Sequence, residues 1–166
     1  KIDKMDLFYF PKEFAIKIHD KIIEISGGHN GIKDIGNIES PLYHIQNDTY
    51  YPYLEDKITH LVFCFNKFHA FNDGNKRTSI ALGAFFLQIN GLGAFVNKFI
   101  QEMENIAVAV ADNVISKDLL KEIITSIIYD DDYGEVLKLK IYYALQNADI
   151  FIDRDIFENK ILWELL

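Results

Sequence analysis

Apolar residues return along much of this chain at intervals of three and four, the spacing that lines one face of an α-helix. Phe14, Ile18, Ile22 and Ile25 form the first stripe, opened by Pro11, which suits a first helical position, and closed by Ser26, Gly27 and Gly28. The stretch from Gly27 to Gly36 carries four glycines and an Asn30–Gly31 pair, so it reads as a connecting loop. A short helix is expected next, capped by Ser40, opened by Pro41 and running through Ile45 and Gln46. Tyr50, Tyr51 and Tyr53 surround Pro52, which disfavours helix just before it and points to an extended segment. From Leu54, the positions Leu54, Ile58, Leu61, Val62, Phe65 and Phe68 make one helical stripe that runs straight into His69. Asn72, Asp73, Gly74 and Asn75 interrupt it, and a second stripe, Ile80, Leu82, Phe85, Phe86 and Ile89, continues to Asn90 and Gly91.

Two further helices follow, one on Ile100, Met103, Ile106, Ala107 and Val110, the other capped by Ser116 with Leu119, Leu120, Ile123, Ile124 and Ile127 on its face. Six helices before residue 130 define an all-α bundle. The acidic run Asp130–Asp132, followed by Tyr133 and Gly134, divides a helical domain over 1–129 from a C-terminal helical extension over 130–166. Patterns around Leu137–Leu145 and Ile156–Leu165 make that extension two helices, expected to pack on the same core.

Composition narrows the classes. With 49% hydrophobic and 25% charged residues the chain is globular rather than disordered or fibrous. Its apolar runs fall short of the roughly 20 residues of a membrane span, and no basic leader with an apolar core opens it, so a soluble cytoplasmic protein is expected. A formal charge of −8 without a basic patch argues against a nucleic-acid partner. The single cysteine, Cys64, sits among Leu61, Val62 and Phe65 and reads as a small buried apolar residue.

The candidate chemistry is concentrated between His69 and Arg77, which read HAFNDGNKR. A loop that ends in Gly74 and Asn75 just before a helix presents free backbone amides and the positive end of the helix dipole, a ready anion site. Lys76 and Arg77 open that helix although cations there oppose its dipole, which makes sense if a polyanion such as a phosphate chain is bound. Asp73 is a hard oxygen ligand suited to magnesium bridging phosphate oxygens. His69 supplies a base for neutral pH, able to take a proton from an incoming hydroxyl. A lone histidine at the end of an apolar helix is more often structural; base, metal ligand, anion nest and cations together are not. The phosphate loop of P-loop enzymes and the His-Glu-x-x-His zinc pattern are both absent.

HAFNDGNKRTS, His69 to Ser79, resembles the signature of the Fic/Doc superfamily: His, any residue, Phe, any residue, Asp or Glu, Gly, Asn, Gly or Lys, Arg. IHDKIIEISGGHNGIKD, from Ile18 to Asp34, and FNDGNKRTSIALGAFFLQINGL, to Leu92, look like the Doc (death on curing) toxins of bacterial toxin–antitoxin pairs, over about residues 12–128. The resemblance implies a helical bundle with the catalytic loop between two core helices. It implies His69 as the base that activates a target hydroxyl, Asp73 as the acidic residue that serves magnesium or the target, and Gly74, Asn75, Lys76 and Arg77 as the phosphate cradle of ATP. Phe71 resembles the anchor of the loop in the core.

Adenylyl-transferring Fic enzymes usually carry Gly where this chain has Lys76, and a second Arg where it has Ile80. Both departures are Doc-like and imply ATP bound in reverse, offering its γ-phosphate, hence phosphorylation of a translation factor such as elongation factor Tu. The alternatives are a Fic-type adenylyltransferase on the same fold and a non-catalytic interaction module with a relic loop. Tyr50, Tyr51 and Tyr53 lie where family members place a flap that aligns the target segment, with cover for the bundle end as the plainer role. His60 reads as a solvated surface histidine, and His19, His29 and His44 show no partner in the sequence. The self-inhibitory pattern of many Fic proteins, Ser or Thr, three residues, Glu, then Gly or Asn, is missing. Before Glu104–Asn105 stands Ile100, and before Glu158–Asn159 stands Arg154. Control in trans by a separate antitoxin is therefore expected.

Overall fold

The computed structural model describes residues 6–146. Seven α-helices follow in chain order: α1 (Lys12–Ser26), α2 (Gly36–His44), α3 (Leu54–Lys67), α4 (Asn75–Ile89), α5 (Val96–Ala111), α6 (Lys117–Tyr129) and α7 (Glu135–Gln146), with a 3₁₀ turn at Gly93–Phe95 before α5. Among the described residues there is no strand, only an isolated antiparallel bridge between Ile32 and Phe71. The all-α expectation holds. The expected helix Ile156–Leu165 and the Arg154–Glu158 pair lie outside the described residues.

Helix α3 is the hub, packed by α2, α4, α5 and α6. Of its expected stripe, Leu54, Ile58, Leu61, Val62 and Phe65 are buried, whereas Phe68 lies past the end of the helix and is 51% exposed. Helix α4 can lie close against α3 and α5 because Gly83 faces them. A Cβ there would come within 2.7 Å of Phe99 Cζ and 2.9 Å of Val62 Cγ2. Ser116 caps α6 as its sequence implies, its Oγ accepting from Leu119 N at 3.1 Å. Helix α7 lies on α6 through buried Ile141, and Tyr133 is buried ahead of it with its hydroxyl donating to Glu102 at 2.9 Å. No helix among the described residues is long and apolar enough to cross a membrane.

Three local expectations change. On α1 the buried line is Ala15, His19 and Ile23, one position round from the expected stripe, and Ile25 is 74% exposed. Ile18, Ile22 and Ile25 instead line an open groove, so α1 carries two apolar lines and only one is core. Helix α2 begins at Gly36 rather than at Pro41, and Ser40 is not its cap. Asp34 prepares the start, its Oδ1 accepting from Gly36 N at 2.8 Å. Pro41 lies inside the helix with its ring buried and, having no N–H, gives up the bond to the carbonyl four residues back. Finally, Tyr50, Tyr51 and Tyr53 precede the first turn of α3, whereas His69 follows its last. The helix has 14 residues, a length of about 21 Å, so the tyrosines cannot border the loop as a flap. Tyr51 packs instead against His60, ring centroids 4.4 Å apart.

His60 is not a solvated residue: it is 6% exposed. Its Nδ1 lies 2.7 Å from Lys117 Nζ, which has only hydrogens to offer, so Nδ1 accepts and Nε2–H donates to His44 Nδ1 at 3.0 Å. Burial, then Lys117, then His44 depress its basicity to a pKa of about 3. The imidazole stays neutral and structural. Cys64, beside it, is buried as expected, and burial pushes its thiol up to about 11, which keeps it unreactive.

Candidate active site

Helix α3 ends at Lys67, and His69 turns the chain out of it with φ 50, a left-handed conformation that histidine enters more readily than branched side chains. The turn leaves the His69 imidazole exposed while the next two residues, Ala70 and Phe71, are fully buried. Asn75, first residue of α4, fixes what lies between. Its Oδ1 accepts from Phe71 N at 3.0 Å and its Nδ2 donates to Phe71 O at 2.9 Å. Both polar ends of that side chain thus hold the loop, and what Asn75 can offer an anion is its main-chain N–H. The side chain points inward, because the Phe71 backbone is buried and needs both partners.

Gly74 caps α4 in the left-handed region, φ 77, where glycine carries no steric penalty. Its N–H donates to Asp73 Oδ1 at 2.8 Å, so the amides left for an anion belong to Asn75 and the residues after it. The other carboxylate oxygen, Oδ2, accepts from His29 N at 3.0 Å. These two amides, His29 first and then Gly74, hold the Asp73 carboxyl below the usual carboxylate range, and Arg77 adds to the effect. Asp73 is part-exposed, with its carboxylate held on those two amides.

Arg77 reaches back to α1. Its Nη1 donates to Gly27 O at 2.9 Å and to Ser26 Oγ, while Nη2 stands 3.9 Å from Asp73 Oδ1. A cation that opposes the dipole of α4 therefore rests on the negative end of α1. Lys76, exposed on the same turn, is the residue for which the opposed-dipole argument still asks for an anion.

The surround of the loop comes from residues 29–34, which the sequence marked only as a connection. Lys33 N and Asp34 N both donate to Ala70 O, at 2.9 and 3.1 Å, and Asn72 N donates to Gly31 O at 3.0 Å. Asn72 Nδ2 donates to Asn30 O at 3.1 Å. This segment, not the tyrosines, borders the site. Gly28 lets it come close: at φ 121, a Cβ would fall 2.5 Å from Asp73 Oδ2 and 3.1 Å from Arg77 Nη2. Gly28→Ala should push the Asp73 carboxylate off His29 N, cutting turnover by about tenfold to a hundredfold while strain lowers stability by only about 1–3 kcal/mol. Initial rates beside thermal melts test this, and an unchanged rate would show that the position of Asp73 is not critical.

Sequence reading also missed His19. It is fully buried on α1, stacks on the Phe71 ring with centroids 3.8 Å apart, and brings Nε2 to 2.7 Å from Asp73 O. Its only signal was a histidine on an apolar helix, a common structural feature. Beyond Arg77 lies a groove of about 470 Å³, lined by Ile18, Ile22, Ile25, Ile80 and Ile100, with Lys21, Arg77 and Glu104 also in its wall.

The chemistry this supports is transfer of an anionic group: an exposed imidazole, a fixed carboxylate, helix amides and a surface ammonium around one loop. As to magnesium, no three metal-ligating side chains converge among the described residues. The protein offers one ionised carboxylate with lone pairs to spare, which fits an ion whose remaining ligands are phosphate oxygens and water.

A helical bundle whose two core helices are joined by such a loop defines a class of group-transfer proteins, and comparison places the chain within it. Residues 9–87 match the sequence model of the Fic/DOC family. Over 108 residues the chain is 33% identical to the protein kinase doc of Escherichia phage P1, an alignment covering 63% of this chain and 82% of that protein. The chain belongs to the Fic/Doc family and is Doc-like within it.

Proposed function

We propose that this chain is a toxin-type protein kinase that moves the γ-phosphate of ATP onto a hydroxyl of a protein target. Lys76 carries the reading. It stands exposed on the first turn of α4, beside the amides that would receive a phosphate, where adenylyl-transferring relatives have glycine. A lysine there crowds a nucleotide entering with its α-phosphate toward His69 and attracts the terminal phosphates instead.

His69 takes the proton of the target hydroxyl as its oxygen attacks the γ-phosphorus. The bond from that phosphorus to the bridging oxygen breaks, ADP leaves with the electron pair, and His69 holds the proton. Asn75 and Lys76 amides, with the Lys76 ammonium and the Arg77 guanidinium, receive the phosphate oxygens. Asp73 would hold magnesium, which neutralises charge between the phosphates when bound. The groove beside Arg77 suits the amphipathic helix of an antitoxin supplied in trans, since its isoleucines offer an apolar seat and Lys21 and Arg77 favour a carboxylate-bearing partner. Elongation factor Tu is the target to try first, in the cytoplasm.

Incubation with ATP labelled at the γ- or the α-phosphate tests the reading. Label on elongation factor Tu from γ-labelled ATP alone is expected. Label from the α position would replace kinase by adenylyltransferase, and label on neither would remove this target.

A further inference from the structure

A side chain from outside the signature, that of His19, touches its loop at two separate points. Its Nε2 faces the carbonyl oxygen of Asp73, an acceptor only, so Nε2 carries hydrogen and donates. Its ring lies on Phe71 with the planes 3° from parallel. On the other side Nδ1 is 3.1 Å from Oδ1 of exposed Asp20, while the bond to Asp73 O and the stack on Phe71 set the rotation of the ring. The Asp73 carbonyl and the Gly74 N–H belong to one peptide plane. That plane is thereby pinned at both ends, the oxygen by His19 and the N–H by the carboxylate of Asp73 itself at 2.8 Å. It is the last plane before α4 and leads into a glycine with φ 77, the kind of joint that turns easily.

We propose that His19 is a positioning residue for phosphoryl transfer. By holding the Asp73 carbonyl inward it keeps that dipole from turning toward the bound phosphates, and it keeps the Asp73 carboxylate on the amides of His29 and Gly74. A turned carbonyl would set a negative dipole against the anion site, so the cost falls on the transfer step. This inference rests on the kinase reading above.

The test uses the full chain with His19→Phe, which keeps a flat ring on Phe71 but removes the donor, and His19→Gln, whose amide nitrogen reaches about where Nε2 lies. Three measurements are made: kcat and KM for transfer from γ-labelled ATP, the thermal midpoint, and the amide resonance of Gly74. His19→Phe should lose about tenfold to a hundredfold in kcat with KM within about threefold, and should shift the Gly74 resonance. His19→Gln should bring both back toward wild type. Wild-type kcat in His19→Phe, or equal loss in both folded variants, overturns the proposal, since a packing role alone predicts no rescue by glutamine. Should His19→Phe fail to fold, His19→Met, which fills much of the same space without a donor, takes its place. A drop of a few-fold in kcat at steady KM supports the proposal and an unchanged kcat overturns it. If the wild type transfers α-label instead, the kinase reading fails, while the Gly74 resonance in the two variants still reports whether His19 holds the plane.

Discussion

Replacement of His69 by Ala is expected to reduce transfer from γ-labelled ATP by about 10²- to 10⁴-fold, or about 3–5 kcal/mol in the barrier, with little change in melting. The geometry separates the two effects. His69 is exposed and packs into no core, so truncation opens no cavity, and alanine must merely tolerate the φ of 50 that histidine holds here. What is lost is the acceptor for the hydroxyl proton. Without it the attacking oxygen must shed its proton to water, while the amides and cations proposed to hold the phosphates remain. Rates with saturating ATP and target, set beside a melt, are the measurement. A rate within about threefold of wild type would show that no proton passes through this imidazole, and would favour a relic loop or a different base.

The loop was legible in the sequence because its chemistry is local. The roles proposed for His69, Asp73, Gly74, Lys76 and Arg77 rest on their own side chains or their own amides, and the helix boundaries that present them are set by residues within a few positions. The apolar stripe of α3 was legible in the same way, though not the burial of Lys57, Thr59, His60 and Asn66 around it, and so was the start of α6 at Ser116. What remained hidden depends on contacts across the chain. His19 lies 54 residues from the carbonyl it holds, and nothing near it in sequence marks that partner. The tyrosines could be read either as a flap or as cover for the bundle end, and nothing local marked residues 29–34 as the border of the site instead. The choice is settled by the length of α3, a tertiary fact. On α1, two apolar lines lie side by side in the sequence, and periodicity cannot say which one faces the core and which one a groove. His60 was misjudged for the same reason: Lys117 and His44, the residues that satisfy it, come from two other segments.

Asn75 is the position where packing and chemistry meet most tightly, and two substitutions separate them. Asn75→Ala leaves the N–H and the carbonyl of buried Phe71 without their partners. At about 1–3 kcal/mol for each orphaned group, partly relieved by relaxation, a loss of about 2–4 kcal/mol is expected. For a chain of this size that is a fall of roughly 5–15 °C in melting temperature. Asn75→Asp keeps an acceptor for Phe71 N–H but turns a carboxylate oxygen toward Phe71 O, a repulsive contact. Its charge gains a little from the dipole of α4, about 0.3–1 kcal/mol, so its stability need not be worse than that of the alanine variant. Its effect on ATP is different in kind. A fixed negative charge at the first residue of α4 sits where the phosphates are to be received, whereas alanine leaves that field unchanged. The expected order is therefore opposite in the two measurements: alanine at least as harmful as aspartate in a melt, and aspartate clearly more harmful in ATP affinity measured by calorimetry. Equal affinity for ATP in the two variants would mean that the anion is bound away from the start of α4, and the phosphate site would have to be sought along the Lys21–Arg77 wall of the groove instead.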